Sequence, residues 1–248
     1  MPIRSLAAAA ALALVAATPL LAQDAPPAAE QADAQLALAT VLTSEDYVAE
    51  MFHRSMTVGF DGALRADPEM AQIEAVCPGL IAAMTAAVEP VMWPSHQRNY
   101  AAYRTELHAL FESELSDEHA RGAADFFASP LGRRFMTALS SEMTVDAMLG
   151  EITMGEAAHV SSEAMAADTR ESVSRGMMAL EPADRLEIST ILSTNGWATE
   201  FARIEPQVAA LQLDMANADF SADESAAMDA AIDGVLEEQF ATCFPENE

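Results

Sequence analysis

Residues 114–135 read ELSDEHARGAADFFASPLGRRF, and this stretch decides the fold that the sequence predicts. A helix begins at Ser116, whose side chain can cap free backbone N–H groups, and acids at the next two positions face the positive end of the helix dipole. That helix must end near Ser129, because Pro130 has no N–H to donate and is tolerated only in the first turn of a new helix. The sequence therefore predicts two helices that meet at a tight corner.

The residues of the corner predict how its two helices pack. Gly132 lies in the first turn of the second helix, where the missing side chain permits close approach of the first helix. We expect Arg133 and Arg134 to face solvent or to pair with Glu118 or Asp125. Ser129 is interpreted as a cap and not as a catalytic residue. The predicted structural corner consists of Phe126, Phe127, Ser129, Pro130, Gly132 and Phe135.

The same stretch resembles the signature of domain of unknown function 2059, a family of exported bacterial helical proteins. The resemblance rests on Leu115-Ser116-Asp117-Glu118 and on Phe126-Phe127-Ala128-Ser129-Pro130-Leu131-Gly132-Arg133, within residues 96–145. The family often has Tyr where this chain has Phe127, so a role for a phenolic hydroxyl there does not carry over. The resemblance implies an exported helical protein and no particular activity.

Apolar residues recur at helical spacing along the rest of the chain. The alternation of apolar and polar residues that is typical of β-strands is absent from the sequence. Helix starts are predicted at Ser44 and at Ser95, and Ser221 with Glu224 forms a capping box. The sequence thus predicts an all-α bundle of roughly eight to ten helices without a β-sheet. The expected apolar faces are Tyr47, Met51, Phe52, Met56 and Phe60; Tyr100, Tyr103, Leu107, Leu110 and Phe111; Trp197, Phe201, Ile204, Val208, Leu211 and Met215; and Met228, Ile232, Val235, Leu236 and Phe240.

The beginning of the chain is typical of an exported protein. Arg4 precedes an apolar run, Leu6–Ala17, and Ala22 offers a small residue for cleavage. A membrane anchor is the alternative, but the run is shorter than the roughly 20 residues of a spanning helix. We expect residues 1–22 to be a signal peptide, residues 23–42 a flexible acidic leader, and residues 43–145 and 146–248 two helical units packed on each other. The predicted location is periplasmic or secreted.

A faint internal similarity links the two halves. Ser193 and Gly196 have the spacing of Ser129 and Gly132, and each pair follows a helix with an acidic start. Duplication of a helical unit would explain this, and coincidence among helix caps is the alternative.

Charge and motifs restrict the function classes. The net charge is −27 and the chain contains no Lys, which argues against nucleic acid and anionic membrane as partners. The sequence has no phosphate-binding loop, zinc-protease helix or nucleophile elbow, although a Ser-His-Asp triad is recognised by geometry and stays open. We therefore expect a non-enzymatic binding or scaffolding protein of the bacterial cell envelope, without a cofactor, whose partner is an envelope protein or a small ligand.

A metal-binding protein or oxidase is the alternative function. Glu50 with His53 and Glu156 with His159 are two Glu-x-x-His pairs, and two such pairs contribute to the di-metal sites of ferritin-like bundles. Because acids are abundant in this chain, solvated helix faces are the simpler interpretation of both pairs. The 15 Met residues could bind copper(I), but their helical spacing among Ala favours adaptable core packing.

Cys77 and Cys243 are the only cysteines of the chain. An even number of cysteines in an exported protein favours a disulfide, which here would tie the end of the chain to the start of the helical body. Two buried free thiols are the alternative.

Overall fold

The computed structural model describes residues 33–154 and 159–243, which are predominantly helical and contain no strand. The prediction of an all-α bundle without a β-sheet is confirmed for this part of the chain. The elements are α1 (Ala34–Leu42), α2 (Glu45–Arg54), a π-helical segment (Ser55–Phe60), α3 (Asp61–Ala66), α4 (Pro68–Val76), α5 (Leu80–Glu114), α6 (Asp117–Ala128), α7 (Pro130–Ser141), α8 (Asp146–Met154), α9 (Ser162–Ala179), α10 (Pro182–Thr194), α11 (Gly196–Ala216) and α12 (Ala222–Cys243).

Helix α5 is the longest element and contacts α1, α2, α11 and α12. The predicted helix start at Ser95 is wrong, because α5 runs through Pro90 and Pro94 without ending. Ser95 is buried, and its hydroxyl accepts a hydrogen bond from Arg98 instead of capping a helix. Apolar side chains are buried on both sides of the prolines, so packing against neighbouring helices offsets the missing backbone hydrogen bonds.

One main hydrophobic cluster joins residues from both predicted helical units. Phe111 and Phe127 from the first unit pack against Phe201 from the second, with ring centroids 5.6 and 6.3 Å from it. Helix α11 continues through Pro206 and buries Trp197, Phe201, Ile204 and Val208, as the apolar face of this segment predicted. The two units thus share a core.

Residues 34–42 correct the prediction of a flexible leader over residues 23–42, because they form α1. Leu38, Ala39 and Leu42 are fully buried in the main cluster, against α5 and α6. Gln35 adds hydrogen bonds to the Leu115 carbonyl and the Asp117 carboxylate, at 3.1 and 3.2 Å. The residues before this point are mostly small or acidic, and the helical spacing of apolar residues that follows them was therefore overlooked.

Helix α12 lies along α5, and none of its described residues is fully buried. Met228 and Ile232 pack against a second, smaller cluster formed by Phe52, Met56 and Val88.

Both ends of α12 are fastened to the body. At its start, Ser221 and Glu224 form the predicted capping box, and the Glu224 carboxylate also pairs with Arg98. At its end, Cys77 and Cys243 form the expected disulfide, with 5.5 Å between their Cα atoms.

The predicted signal peptide, residues 1–22, lies outside the described residues, as does the first half of the predicted leader, residues 23–32. No single helix among those described has the length and apolar composition needed to span a membrane. The pair α4 and α5, bent by 112° at their junction, meets those criteria only when taken together.

Candidate functional site

The corner between α6 and α7 is held by its own hydrogen bonds. The Gly132 amide donates to the Ser129 hydroxyl at 3.0 Å, and that hydroxyl donates to the Phe126 carbonyl at 2.6 Å. A side-chain carbon on Gly132 would collide with the Phe126 carbonyl oxygen and lie 2.8 Å from the Phe127 Cα. This geometry matches the predicted structural corner and leaves the Ser129 hydroxyl engaged as a cap.

The phenylalanines of the corner lie in one apolar cluster across the bend, as predicted. The Phe126 ring is 5.1 Å from Phe127 and 6.3 Å from Phe135, measured between centroids. Trp197 from α11 adds a further contact, 5.4 Å from Phe126. The corner therefore forms part of the main hydrophobic core.

Arg134 is exposed and pairs with an acid, as predicted, but that acid is Asp184 and not the expected Glu118 or Asp125. Arg134 makes a two-pronged ion pair with Asp184, at 2.7 and 2.8 Å, and Arg133 donates to the Ala128 carbonyl. Asp184 lies in the first turn of α10, which packs beside α7, and this proximity is not visible in the sequence. The Arg134 guanidinium lowers the pKa of the Asp184 carboxyl.

The similar segment in the second half has a different structural role. Ser193 lies inside α10, where its hydroxyl donates to the Thr190 carbonyl at 3.0 Å. Gly196 is the first residue of α11, and Asn195 occupies the cap position. The shared spacing therefore does not produce a second corner of the same kind.

The first Glu-x-x-His pair does not act as one group in the structure. The Glu50 carboxylate accepts a hydrogen bond from Ser140 at 3.3 Å, whereas His53 faces Glu89 at 2.9 Å and its side chain is 60% exposed. Glu156 lies outside the described residues, and His159 is exposed. A di-metal site built from both pairs stays a prediction.

Asp33, His108 and Glu112 form a surface group with potential ligand atoms within 4.8 Å of one another. His108 Nε2 lies 2.8 Å from Asp33 and 3.8 Å from Glu112. The Asp33 carboxylate also accepts from the Leu36 amide, so it caps α1. Helix capping and ion pairing account for this group.

A cavity of about 150 Å³ lies between α2, α5, α8, α9 and α11, and methionine is the most frequent residue in its wall. The five thioether side chains belong to Met51, Met143, Met148, Met165 and Met215. We call this space the methionine cavity. Sequence reasoning found only an abundance of Met, because these five residues come from four helices and a loop.

Two tyrosines of α5 complete the apolar wall of the methionine cavity. The rings of Tyr100 and Tyr103 meet edge to face, 6.0 Å apart. Burial raises the pKa of the Tyr100 hydroxyl to about 12 and raises that of Tyr103 further, although a hydrogen bond to Gln212 opposes the shift of Tyr103. Both hydroxyls are therefore neutral at physiological pH.

Asp168 of α9 is a charged side chain in the wall of the methionine cavity, and it is only 4% exposed. Its carboxylate accepts from the amides of Ala147 and Met148, at 3.0 and 2.9 Å, and so caps α8. The Thr144 hydroxyl is a third donor at 3.5 Å, and the Thr144 amide donates to Ser172 at 2.9 Å. These bonds fix the loop before α8 against α9.

The ring of His96, which does not line the methionine cavity, packs against Tyr100 and Phe52. The His96 ring lies 4.7 Å from Tyr100 and 4.6 Å from Phe52, between centroids. Burial lowers the pKa of His96 to about 4, so this imidazole is neutral at pH 7. Sequence reasoning missed His96, since one histidine on an apolar helix face gives no distinctive pattern.

No protein-family model matches the chain, and no curated protein or solved structure matches it. The resemblance to domain of unknown function 2059 therefore stays a prediction. The function must be inferred from the geometry of the chain itself, and above all from the methionine cavity.

Proposed function

We propose that this chain is an exported helical binding protein whose methionine cavity takes a small, largely apolar organic molecule. The observation that carries the proposal is a cavity of about 150 Å³ bounded by five thioethers and two tyrosine rings. An engineered cavity of about the same volume in another protein binds benzene. The expected ligand is therefore about the size of one ring.

The composition of the wall supports binding of a ligand. Protein interiors are close-packed, and an unfilled apolar cavity lowers stability by roughly 24 cal/mol per Å³. Methionine side chains are flexible and polarisable, so they adapt to the shape of a ligand. A small number of polar groups in an apolar pocket are the usual means of orienting a ligand, and Asp168 and Gln212 both line this cavity.

Export is the second part of the proposal. The signal-like residues 1–22 favour it, and so does the disulfide between Cys77 and Cys243, since such bonds persist mainly in oxidising compartments. A periplasmic or secreted binding protein would also agree with the resemblance to an exported helical family. Fractionation of cells that produce the tagged full-length chain tests this part.

Binding is tested by blocking the methionine cavity. Ala216 is an exposed residue that lines the cavity at the end of α11, whereas Ala210 is exposed on the same helix and does not line it. We expect benzyl alcohol to bind the unmodified protein and the Ala210→Trp variant in a calorimetric titration. Ala216→Trp should bind about tenfold more weakly or not at all, since an indole needs the space that the ligand would occupy.

Two results would contradict the proposed binding in the methionine cavity. Equal binding by both tryptophan variants would place the ligand elsewhere on the protein. No binding of benzyl alcohol, toluene or indole by the unmodified protein would refute a cavity of this kind.

A further inference from the structure

We propose that the ligand of the methionine cavity carries a positive charge, and that it is a small organic cation with an ammonium group on an apolar body. This inference rests on the proposed function and names its ligand class. The carrying observation is that a buried carboxylate, two tyrosine rings and five thioethers line the same cavity.

The carboxylate of Asp168 has no charged partner among the described residues. Its hydrogen-bond donors there are two backbone amides and one hydroxyl, all of them neutral. Within residues 33–154 and 159–243, Asp168 has no ion-pair partner, and no Arg or His lines the cavity there. Buried carboxylates are rarely left without a compensating charge. The N-terminus of α8 supplies only about half a positive charge, so net negative charge remains.

The carboxylate of Asp168 also has unused hydrogen-bond capacity among the described residues. An ionised carboxylate has about four lone-pair sites, and three donors contact Asp168. Among the residues that the structure describes, Oδ1 accepts from the Ala147 amide and the Thr144 hydroxyl, whereas Oδ2 accepts only from the Met148 amide. Oδ2 therefore keeps an acceptor site on the side chain that lines the cavity. An ammonium N–H would satisfy both this site and the charge.

The apolar wall of the methionine cavity suits an organic cation. Tyrosine ring faces attract cations, and this attraction strengthens when the cation is desolvated. Thioether sulfurs are polarisable and pack well against the methylene and ring carbons of an organic ligand. Tyr100 and Tyr103 thus add to the attraction by Asp168, while the methionines accommodate the uncharged part of the molecule.

The size and the overall charge point in the same direction. A single metal ion would leave most of a cavity of about 150 Å³ empty, whereas an organic cation would fill it. The net charge of −27 raises the concentration of cations around the protein and steers them towards its surface.

Benzylammonium and benzyl alcohol are a matched pair of probes, because they share the ring and the methylene and differ in charge. We expect the unmodified protein to bind benzylammonium about tenfold more tightly than benzyl alcohol at pH 7. Asp168→Asn should remove most of that preference, so that the two compounds bind this variant with similar affinities. Asp214→Asn, at an exposed position of α11 outside the cavity, is the control for general electrostatic attraction and should keep the preference.

The possible failures are distinguishable. If benzyl alcohol binds as tightly as benzylammonium, the charge inference is overturned and the binding proposal stands. If neither compound binds, both proposals are overturned. If Asp168→Asn loses its helical circular dichroism, the ratio of the two affinities in the unmodified protein decides the matter alone.

Discussion

Gly132 faces the backbone of the preceding helix so closely that its Cβ position is already occupied. We expect Gly132→Ala to lower the free energy of unfolding by about 3 kcal/mol, because the backbone of α6 must move to admit the added carbon. Urea denaturation followed by circular dichroism measures the change. Gly234 of α12 is the matched control: nothing lies within 4 Å of its Cβ position. Gly234→Ala should stabilise the protein slightly, by up to about 1 kcal/mol. Similar losses in both variants would contradict the close approach at the corner.

His96 gives the protein a defined response to acid. Because its pKa falls from 6.5 to about 4 on folding, the unfolded chain takes up a proton in this window that the folded chain does not. The contribution of neutral His96 to the free energy of unfolding is therefore fully present above about pH 6.5. It declines as the pH falls towards 4, by up to about 3 kcal/mol.

The variant His96→Phe keeps a ring among Phe52, Trp93 and Tyr100 but cannot be protonated. Its stability should therefore fall less than that of the unmodified protein between pH 6.5 and 4, in denaturant titrations at a series of pH values. Parallel pH profiles for the two proteins would show that His96 is not buried as the structure has it.

At the scale of helices, sequence reasoning succeeded where local chemistry decides the structure. Caps and prolines place the α6–α7 corner, and Ser221 with Glu224 begins α12, since these interactions span only a few residues. It failed for α5, where the chain continues past Pro94 because packing outweighs the missing hydrogen bond. It also missed α1, because the buried face of this helix is recognised only from its contacts with α5 and α6.

Helix α12 should depend on its disulfide more than any other element. It contributes no fully buried residue, and its last residue, Cys243, is bonded to Cys77 over a separation of 166 residues. A loop of this length corresponds to roughly 5 kcal/mol in the chain-entropy model, although measured gains are often smaller. We expect Cys77→Ser with Cys243→Ser to raise amide hydrogen exchange throughout Ala222–Cys243, while exchange at the α6–α7 corner stays slow. Uniform acceleration across both regions would mean instead that α12 unfolds only with the whole protein.

At the scale of the whole molecule, the main core was predictable and the methionine cavity was not. The apolar faces of α5 and α11 follow from helical spacing, and their residues meet in one cluster. Met51 and Met215 lie on different helices at opposite ends of the chain, and nothing in their local sequence indicates that they share a wall. The interpretation of methionine as core packing did not indicate the space between these side chains, of which Met51 is buried and Met215 is half-buried. Asp168 was missed for the same reason, since its role depends on the loop and helix that it holds.

Ligand binding in the methionine cavity is tested most directly by NMR of protein labelled with [methyl-¹³C]methionine. The methionine methyl signals are recorded during a titration with benzylammonium. The assigned signals of Met51, Met143, Met148, Met165 and Met215 should shift together and saturate with one dissociation constant, because these side chains line the cavity. Met178, which is 71% exposed, and Met228 of α12, which packs against the smaller cluster, should stay unchanged. Shifts at Met178 or Met228 without shifts at the five lining residues, or no saturable shift at any methionine with either benzylammonium or benzyl alcohol, would contradict the assignment of the methionine cavity as the functional site.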